Sequence, residues 1–180
     1  METGRAASDG TTYNNGYGIC FIPKTQVTTA TWNDSDTLNV AYKSSTMHTT
    51  HLPNIVTKLQ NVLGSHLIQR NVLLSSSNMG GNGYSNGYTW TKAYATLMSI
   101  GQMTGTFAAN RNKYDDGEAN YKLPIFNFME FRTGSYFWSR GVWGHGGNSH
   151  YYDWCVTSDG SINYDNADNL HGIRPLIYLR

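Results

Sequence analysis

The segment from residue 133 to the C-terminus constrains the fold most strongly. It contains no lysine and no glutamate, and short aromatic or aliphatic runs alternate there with stretches rich in Gly, Asn and Asp. Short runs of this kind, separated by turn residues, are typical of antiparallel strands. We therefore predict strands at 136–140, 152–157 and 176–179.

The second of these strands shows a two-residue alternation. One face would carry Tyr152, Trp154 and Val156. The other face would carry Tyr151, Asp153 and Cys155. Asp159-Gly160, directly after this strand, is a strong signal for a tight turn. We expect Trp138 and Trp154 in the core, because both lie within strand patterns.

A helix is predicted earlier in the chain. One apolar stripe, spaced as on one helical face, comprises Leu52, Ile55, Val56, Leu59, Val62 and Leu63. Thr49 or Thr50 can cap this helix, Pro53 suits its first turn, and Gly64 can end it in the left-handed conformation.

The remaining elements complete an α+β pattern. Further strands are predicted at 17–22, 26–32 and 70–75, and a strand or extended segment at 123–128. A second, shorter helix is expected after Thr89 or Thr91, with Tyr94, Leu97 and Met98 on its inner face. Two helices with a mainly antiparallel sheet make the class α+β. We predict a flexible lead-in at 1–16 and one domain at 17–180.

The composition excludes two classes of partner. Charged residues make up 14% of the chain and the net charge is +1, so the clustered basic residues that nucleic acids require are missing. No apolar run approaches about 18 residues, which argues against membrane insertion. The N-terminus METGRAASDG lacks the pattern of a signal peptide.

Catalytic and metal-binding patterns are weak. The chain has no phosphate-binding glycine motif, and its histidines show no H-x-x-x-H spacing on a good helix. The stretch NYDNADN (163–169) resembles a calcium loop superficially, but position 167 is alanine and no closing glutamate follows. Cys20 and Cys155 could pair across the fold, but two free thiols are the favoured interpretation. We predict a protein that is not an enzyme and that needs no cofactor or metal.

Two arginines have alternative roles. Arg140 and Arg174 each lie beside core-type residues and could bind a ligand carboxylate. The favoured interpretation is that each ties loops together through backbone carbonyls.

Three motifs in order resemble a known family. They are Phe137-Trp138-Ser139-Arg140, then VTSDGSI at 156–162, then Gly172-Ile173-Arg174-Pro175-Leu176. Together they resemble the C-type-lectin-like domains of bacteria and phages. The match covers about 45 residues. The proline-containing loop of calcium-dependent sugar-binding lectins is missing, because no proline lies between Pro124 and Pro175. Trp32-Asn33-Asp34 resembles the W-N-D motif of those lectins but lies near the wrong end of the chain.

The resemblance implies a C-type-lectin-like fold with paired terminal strands and long display loops on one side. The implied strand partners are 17–22 and 176–179. Similar domains include the variable proteins of diversity-generating retroelements, in which asparagine codons are mutated to encode a limited residue set. Every residue of 145–153 and of 163–172 belongs to that set, as does Cys155.

We accordingly predict a ligand- or receptor-binding display domain of a phage tail or bacterial surface protein. Its partner would be a host or cell-surface protein or a glycan, and its location the virion or bacterial cell surface. A homo-oligomer, such as a trimer, would raise affinity by avidity. The predicted binding face comprises Trp143, His145, Asn148, His150, Tyr151, Asp153, Cys155, Asn163, Tyr164, Asp165, Asn166, Asp168, Asn169 and His171.

Two other functions remain open on the sequence. One is a structural virion domain, such as a capsid or tail decoration, without a specific ligand. The other is an enzyme similar to the formylglycine-generating enzymes, which use a cysteine pair. Cys20 and Cys155 come from different predicted strands, which argues against that chemistry.

Overall fold

The computed structural model describes residues 19–34, 40–75, 88–104, 123–142 and 152–180. Within these ranges the protein is α+β, as predicted. The α-helices are α1 (Leu52–Leu63) and α2 (Ile100–Thr104). The strands are β1 (Ile19–Phe21), β2 (Thr28–Ala30), β3 (Arg70–Ser75), β4 (Tyr88–Ala93), β5 (Ala95–Thr96), β6 (Phe137–Val142), β7 (Tyr152–Val156), β8 (Ile162–Asn166), β9 (His171–Ile173) and β10 (Leu176–Leu179). The predicted lead-in at 1–16 lies outside the described residues.

The described strands form three sheets. A three-stranded sheet has the order β1-β10-β5, a five-stranded sheet has the order β2-β9-β6-β7-β8, and β3 pairs with β4 in a hairpin. All pairings are antiparallel except that of β6 with β9. Cys20 lies opposite Tyr178 in the β1–β10 pair, which confirms the prediction that the N- and C-terminal strands meet.

Helix α1 confirms the amphipathic pattern, with one exception. Its apolar stripe lies between the main core and a smaller cluster beside the three-stranded sheet. In that smaller cluster Val56, Leu59 and Leu63 pack against Leu67, Ala95 and Ile177. Val62 is 83% exposed, so its predicted place in the stripe is wrong.

The start of α1 also differs from the expected threonine cap. One turn of π-helix, Met47–His51, runs directly into α1 without a side-chain cap. The turn just before Met47 is held by Ser45, whose Oγ accepts a hydrogen bond from the His48 N–H at 3.2 Å. Pro53 occupies the first turn of α1 and Gly64 ends it with a φ of 52°, as predicted.

The second predicted helix is wrong in position. Residues 88–93 form β4, and the Leu97 N–H donates to the Tyr42 hydroxyl at 2.9 Å. The helix begins later, at a capping box: Ser99 Oγ accepts from the Gln102 N–H, and Gln102 Oε1 accepts from the Ser99 N–H, both at 2.9 Å.

The segment at 123–128 is not a strand. Pro124–Asn127 forms a short 3-10 helix whose Phe126 side chain is buried in the core. Proline cannot donate to a strand ladder and its fixed φ suits the first helical position, which explains this choice.

Two tryptophans in the main core form hydrogen bonds between segments that are far apart in the chain. Trp32 Nε1 donates to the Ser139 carbonyl at 3.1 Å, and Trp138 Nε1 donates to the Ala30 carbonyl at 2.9 Å. Both indoles are buried, so these bonds tie β2 and the residues just after it to β6 across the interior. Trp138 and Trp154 are core residues, as predicted.

Arg174 acts as predicted, by tying loops together. Its guanidinium donates to the carbonyls of Pro23, at 3.0 Å, and Phe131, and lies 4.7 Å above the ring centroid of Phe137. Neighbouring Gly172 has no room for a side chain: a Cβ there would lie 2.8 Å from the Tyr136 carbonyl oxygen. In the described parts of the chain, no helix is both long and apolar enough to cross a membrane.

Candidate functional site

The described part of the predicted binding face lies on the hairpin of β7 and β8 and on the turn and strand β9 that follow it. Trp154 lies opposite Tyr164, Cys155 opposite Asn163, and Asp153 opposite Asp165. The segment 163–166, for which no strand was predicted, is therefore strand, and 167–169 is a turn. Among the described strands, β8 lies at the edge of its sheet.

The SDG motif builds the turn of this hairpin. Asp159 Oδ1 accepts hydrogen bonds from the Ser161 N–H, at 3.0 Å, and from the Thr157 hydroxyl. These bonds lower the pKa of Asp159, with that of Thr157 the larger cause. Gly160 has a φ of 84°, a conformation that side chains disfavour, which confirms the predicted tight turn.

One face of the hairpin carries an aromatic cluster. The ring of Tyr164 meets that of Tyr152 edge-on at 5.3 Å between centroids, and that of Trp154 edge-on at 6.3 Å. Tyr164 is 42% exposed, whereas Trp154 is buried. The contacts hold an accessible tyrosine in a fixed position on a strand.

The opposite face carries a polar network around Asp165. Asp165 Oδ2 accepts from His171 Nε2 at 2.8 Å, and Oδ1 accepts from the Asn169 amide and the Asn166 N–H, both at 2.8 Å. His171 stacks on Tyr136 at 5.2 Å and contacts Trp138 at 4.5 Å between centroids. Three predicted site residues, Asp165, Asn169 and His171, are thus brought together.

The turn after β8 is fixed to the core. The Ala167 carbonyl accepts from the N–H groups of Trp32, at 2.8 Å, and Asn33, at 2.9 Å. Asn166, Asp168 and Asn169 are exposed on this turn and at its start, as is Asn163 near the start of β8.

Two predicted contact residues are corrected. Asp153 and Cys155 are 3% and 0% exposed, so they do not lie on an accessible face. Cys155 belongs to the main core, where it lies beside the buried Trp138 across the β6–β7 pair. Burial, together with the charges of Asp165 and Asp153, raises the pKa of the Cys155 thiol to about 12. Cys20 and Cys155 are not joined by a disulfide.

The other five predicted site residues lie outside the described residues. They are Trp143, His145, Asn148, His150 and Tyr151.

Two aromatic residues near the site were not in the predicted set. Tyr152 shares a face with Tyr164, and Tyr136 is 43% exposed beside His171. The alternation of β7 indicated the position of Tyr152, but no pattern in the sequence links Tyr136 to His171.

The described part of the site contains no metal-binding cluster. Within the described ranges, no group of three or more His, Cys, Asp or Glu side chains could hold a metal ion. A separate cluster joins Thr31, Asp34 and His51. There His51 Nε2 contacts both Thr31 Oγ1 and Asp34 Oδ1 at 3.3 Å, whereas a proton relay needs a different ring nitrogen for each partner.

The comparisons with protein-family models, with curated proteins and with solved structures found no match to this chain.

Proposed function

We propose that the chain is a ligand-binding display domain of the C-type-lectin-like class, exposed on a virion or bacterial cell surface. The observation that carries this proposal is Tyr164, an accessible aromatic side chain held by ring contacts on a strand beside exposed asparagines. Tyrosine gives large contact area at low entropic cost, and asparagine gives adaptable hydrogen bonds.

The contact surface would be β8 with the turn that follows it, which we name the β8 surface. It comprises Asn163, Tyr164, Asn166, Asp168 and Asn169. Because β8 lies at the edge among the described strands, residues from both of its faces reach the same rim. Asp165 and His171 act as positioning residues, since Asp165 binds His171 and also accepts hydrogen bonds from Asn166 and Asn169 of this surface.

The charge of this region restricts the partner. From residue 133 onward the acids that are not buried are Asp159, Asp165 and Asp168, while Arg140 and Arg174 are buried and Arg180 is exposed at the C-terminus. A neutral glycan or a basic protein surface fits this balance better than an anionic ligand.

Three further features support a lectin-like display domain. The terminal strands pair, the SDG motif forms a hairpin turn, and the G-I-R-P motif ties loops to the sheet. The restricted residue alphabet of 145–153 and 163–172 supports diversified binding.

Binding to a glycan microarray and to a panel of intact bacterial cells tests the proposal. Tyr164→Ala should weaken binding at least about tenfold, which is within the range for a central aromatic contact. Phe128→Ala is the matched control, because Phe128 is 63% exposed outside the site. Equal binding by the two variants, or no binding on either panel by the unaltered chain, would refute the proposal.

Sequencing isolates of one population separates this function from a structural virion role. Diversified binding predicts substitutions concentrated at 143–155 and 163–171. Uniform substitution along the chain would favour a structural domain.

A further inference from the structure

A second site lies on another part of the molecule. Helix α1 and the strands β4 and β5 form the walls of an open cavity of about 320 Å³. Leu52, Ala93 and Ala95 line it and are buried, whereas Gln60 and Lys92 line it and are exposed. The cavity therefore has an apolar interior and a polar mouth, and its volume lies in the range of small-molecule sites.

Lys92 is the one Lys, Arg, Asp or Glu side chain among the described residues that line this cavity. No Asp or Glu occurs between residues 37 and 114, a stretch that includes every residue lining the cavity. Lys92 forms no ion pair with any residue in the described part of the chain. The amide groups of Gln60 and Gln69 add hydrogen-bond donors at the same mouth.

His48 provides one wall. Its ring packs against Tyr42 at 5.2 Å between centroids, and its Nδ1 is buried with no hydrogen-bond partner. Burial, with a smaller contribution from Lys43, lowers the pKa of His48 to about 4, so the ring is neutral at pH 7. A neutral imidazole adds no charge to this wall.

We propose that this cavity binds a small organic carboxylate, with its apolar body against Leu52, Ala93 and Ala95 and its carboxylate at Lys92. A lysine at the mouth of an apolar cavity that lacks acids matches such a ligand in both charge and shape. A neighbouring cavity of about 370 Å³, lined by His51 and Lys58, fits less well because Asp34 contacts His51. This proposal is independent of binding at the β8 surface.

A matched pair of probes tests the assignment. 4-Phenylbutyrate and 4-phenylbutan-1-ol share an apolar body and differ in the carboxylate. In a titration followed by amide chemical shifts, we expect the carboxylate to perturb Ala93, Ala95 and Val56 with a Kd below about 1 mM. The alcohol should bind at least about fivefold more weakly.

Variants test whether Lys92 binds the carboxylate and whether the ligand occupies this cavity. Lys92→Gln should weaken binding of 4-phenylbutyrate about tenfold, while Lys58→Gln, the same change in the neighbouring cavity, should alter it less than about twofold. Thr57→Trp, at an exposed position of α1 on the cavity lining, should block binding while Tm is kept.

Three results would overturn the proposal. They are equal affinity for the acid and the alcohol, equal effects of the two lysine substitutions, and no shifts at Ala93 and Ala95 up to about 10 mM of 4-phenylbutyrate.

Discussion

His48 makes the stability of the fold depend on pH in a calculable way. Its pKa is about 4 in the folded chain because the ring is buried, whereas an exposed histidine titrates near 6.5. The unfolded state therefore binds more protons between these two values, and the free energy of unfolding falls as the pH falls through this window. At about pH 4.5 the loss from this one group is about 2.5 kcal/mol relative to pH 7.

The substitution His48→Phe removes this titration and keeps a ring against Tyr42. Urea unfolding at pH 7 and at about pH 4.5 should show that the unaltered chain loses about 2.5 kcal/mol more than H48F on acidification. Carboxylates such as Asp34, whose pKa is lowered chiefly by the Thr31 hydroxyl, contribute equally in both proteins and cancel. His66→Phe is the control, because His66 is exposed. Equal acid losses for the unaltered chain and H48F would refute the reasoning.

Three further predictions concern the motif residues and the hairpin. Gly172→Ala should cost about 1–3 kcal/mol of unfolding free energy, because the new Cβ meets the Tyr136 carbonyl oxygen, and adding Gln26→Ala should not restore stability. In a Cys20→Ser background, the Cys155 thiol should react with a disulfide reagent at pH 8 only after denaturation, since it is buried with a pKa of about 12; prompt reaction in the folded chain would contradict this. Asp165→Ala should cost about 1–2 kcal/mol by releasing His171 and Asn169, measured by urea unfolding, and an unchanged stability would show that the network is unimportant.

Local patterns in the sequence predicted the elements that form through interactions within one segment of the chain. The stripe of α1, the Asp159-Gly160 turn and the short strands around it depend on spacing and turn chemistry that one segment contains. The pairing of the terminal strands was implied by the family resemblance and is present.

The predicted position of the second helix was wrong because strand pairing between distant segments determines the structure there. Tyr94, Leu97 and Met98 have helical spacing, but Trp90 lies opposite Leu73 in the β3–β4 hairpin and the chain there is extended. The short helix follows at Ser99, where the capping box Ser99-x-x-Gln102 was the local signal that could have placed it.

In the candidate site, too, local patterns predicted some features, whereas tertiary packing determined others. Alternation correctly separated the two faces of β7, but it could not show that the face of Asp153 and Cys155 is covered. The polar segment 163–166 resembles loop by composition and forms a strand because it pairs with β7 along its whole length.

Hydrogen–deuterium exchange in the presence of the ligand found on the glycan or cell panel tests the central claim most directly. Binding at the β8 surface predicts slower exchange at the amides of 162–171 and unchanged exchange in α1, Leu52–Leu63. Protection confined to α1 and the strands beside it, with 162–171 unchanged, would contradict the account.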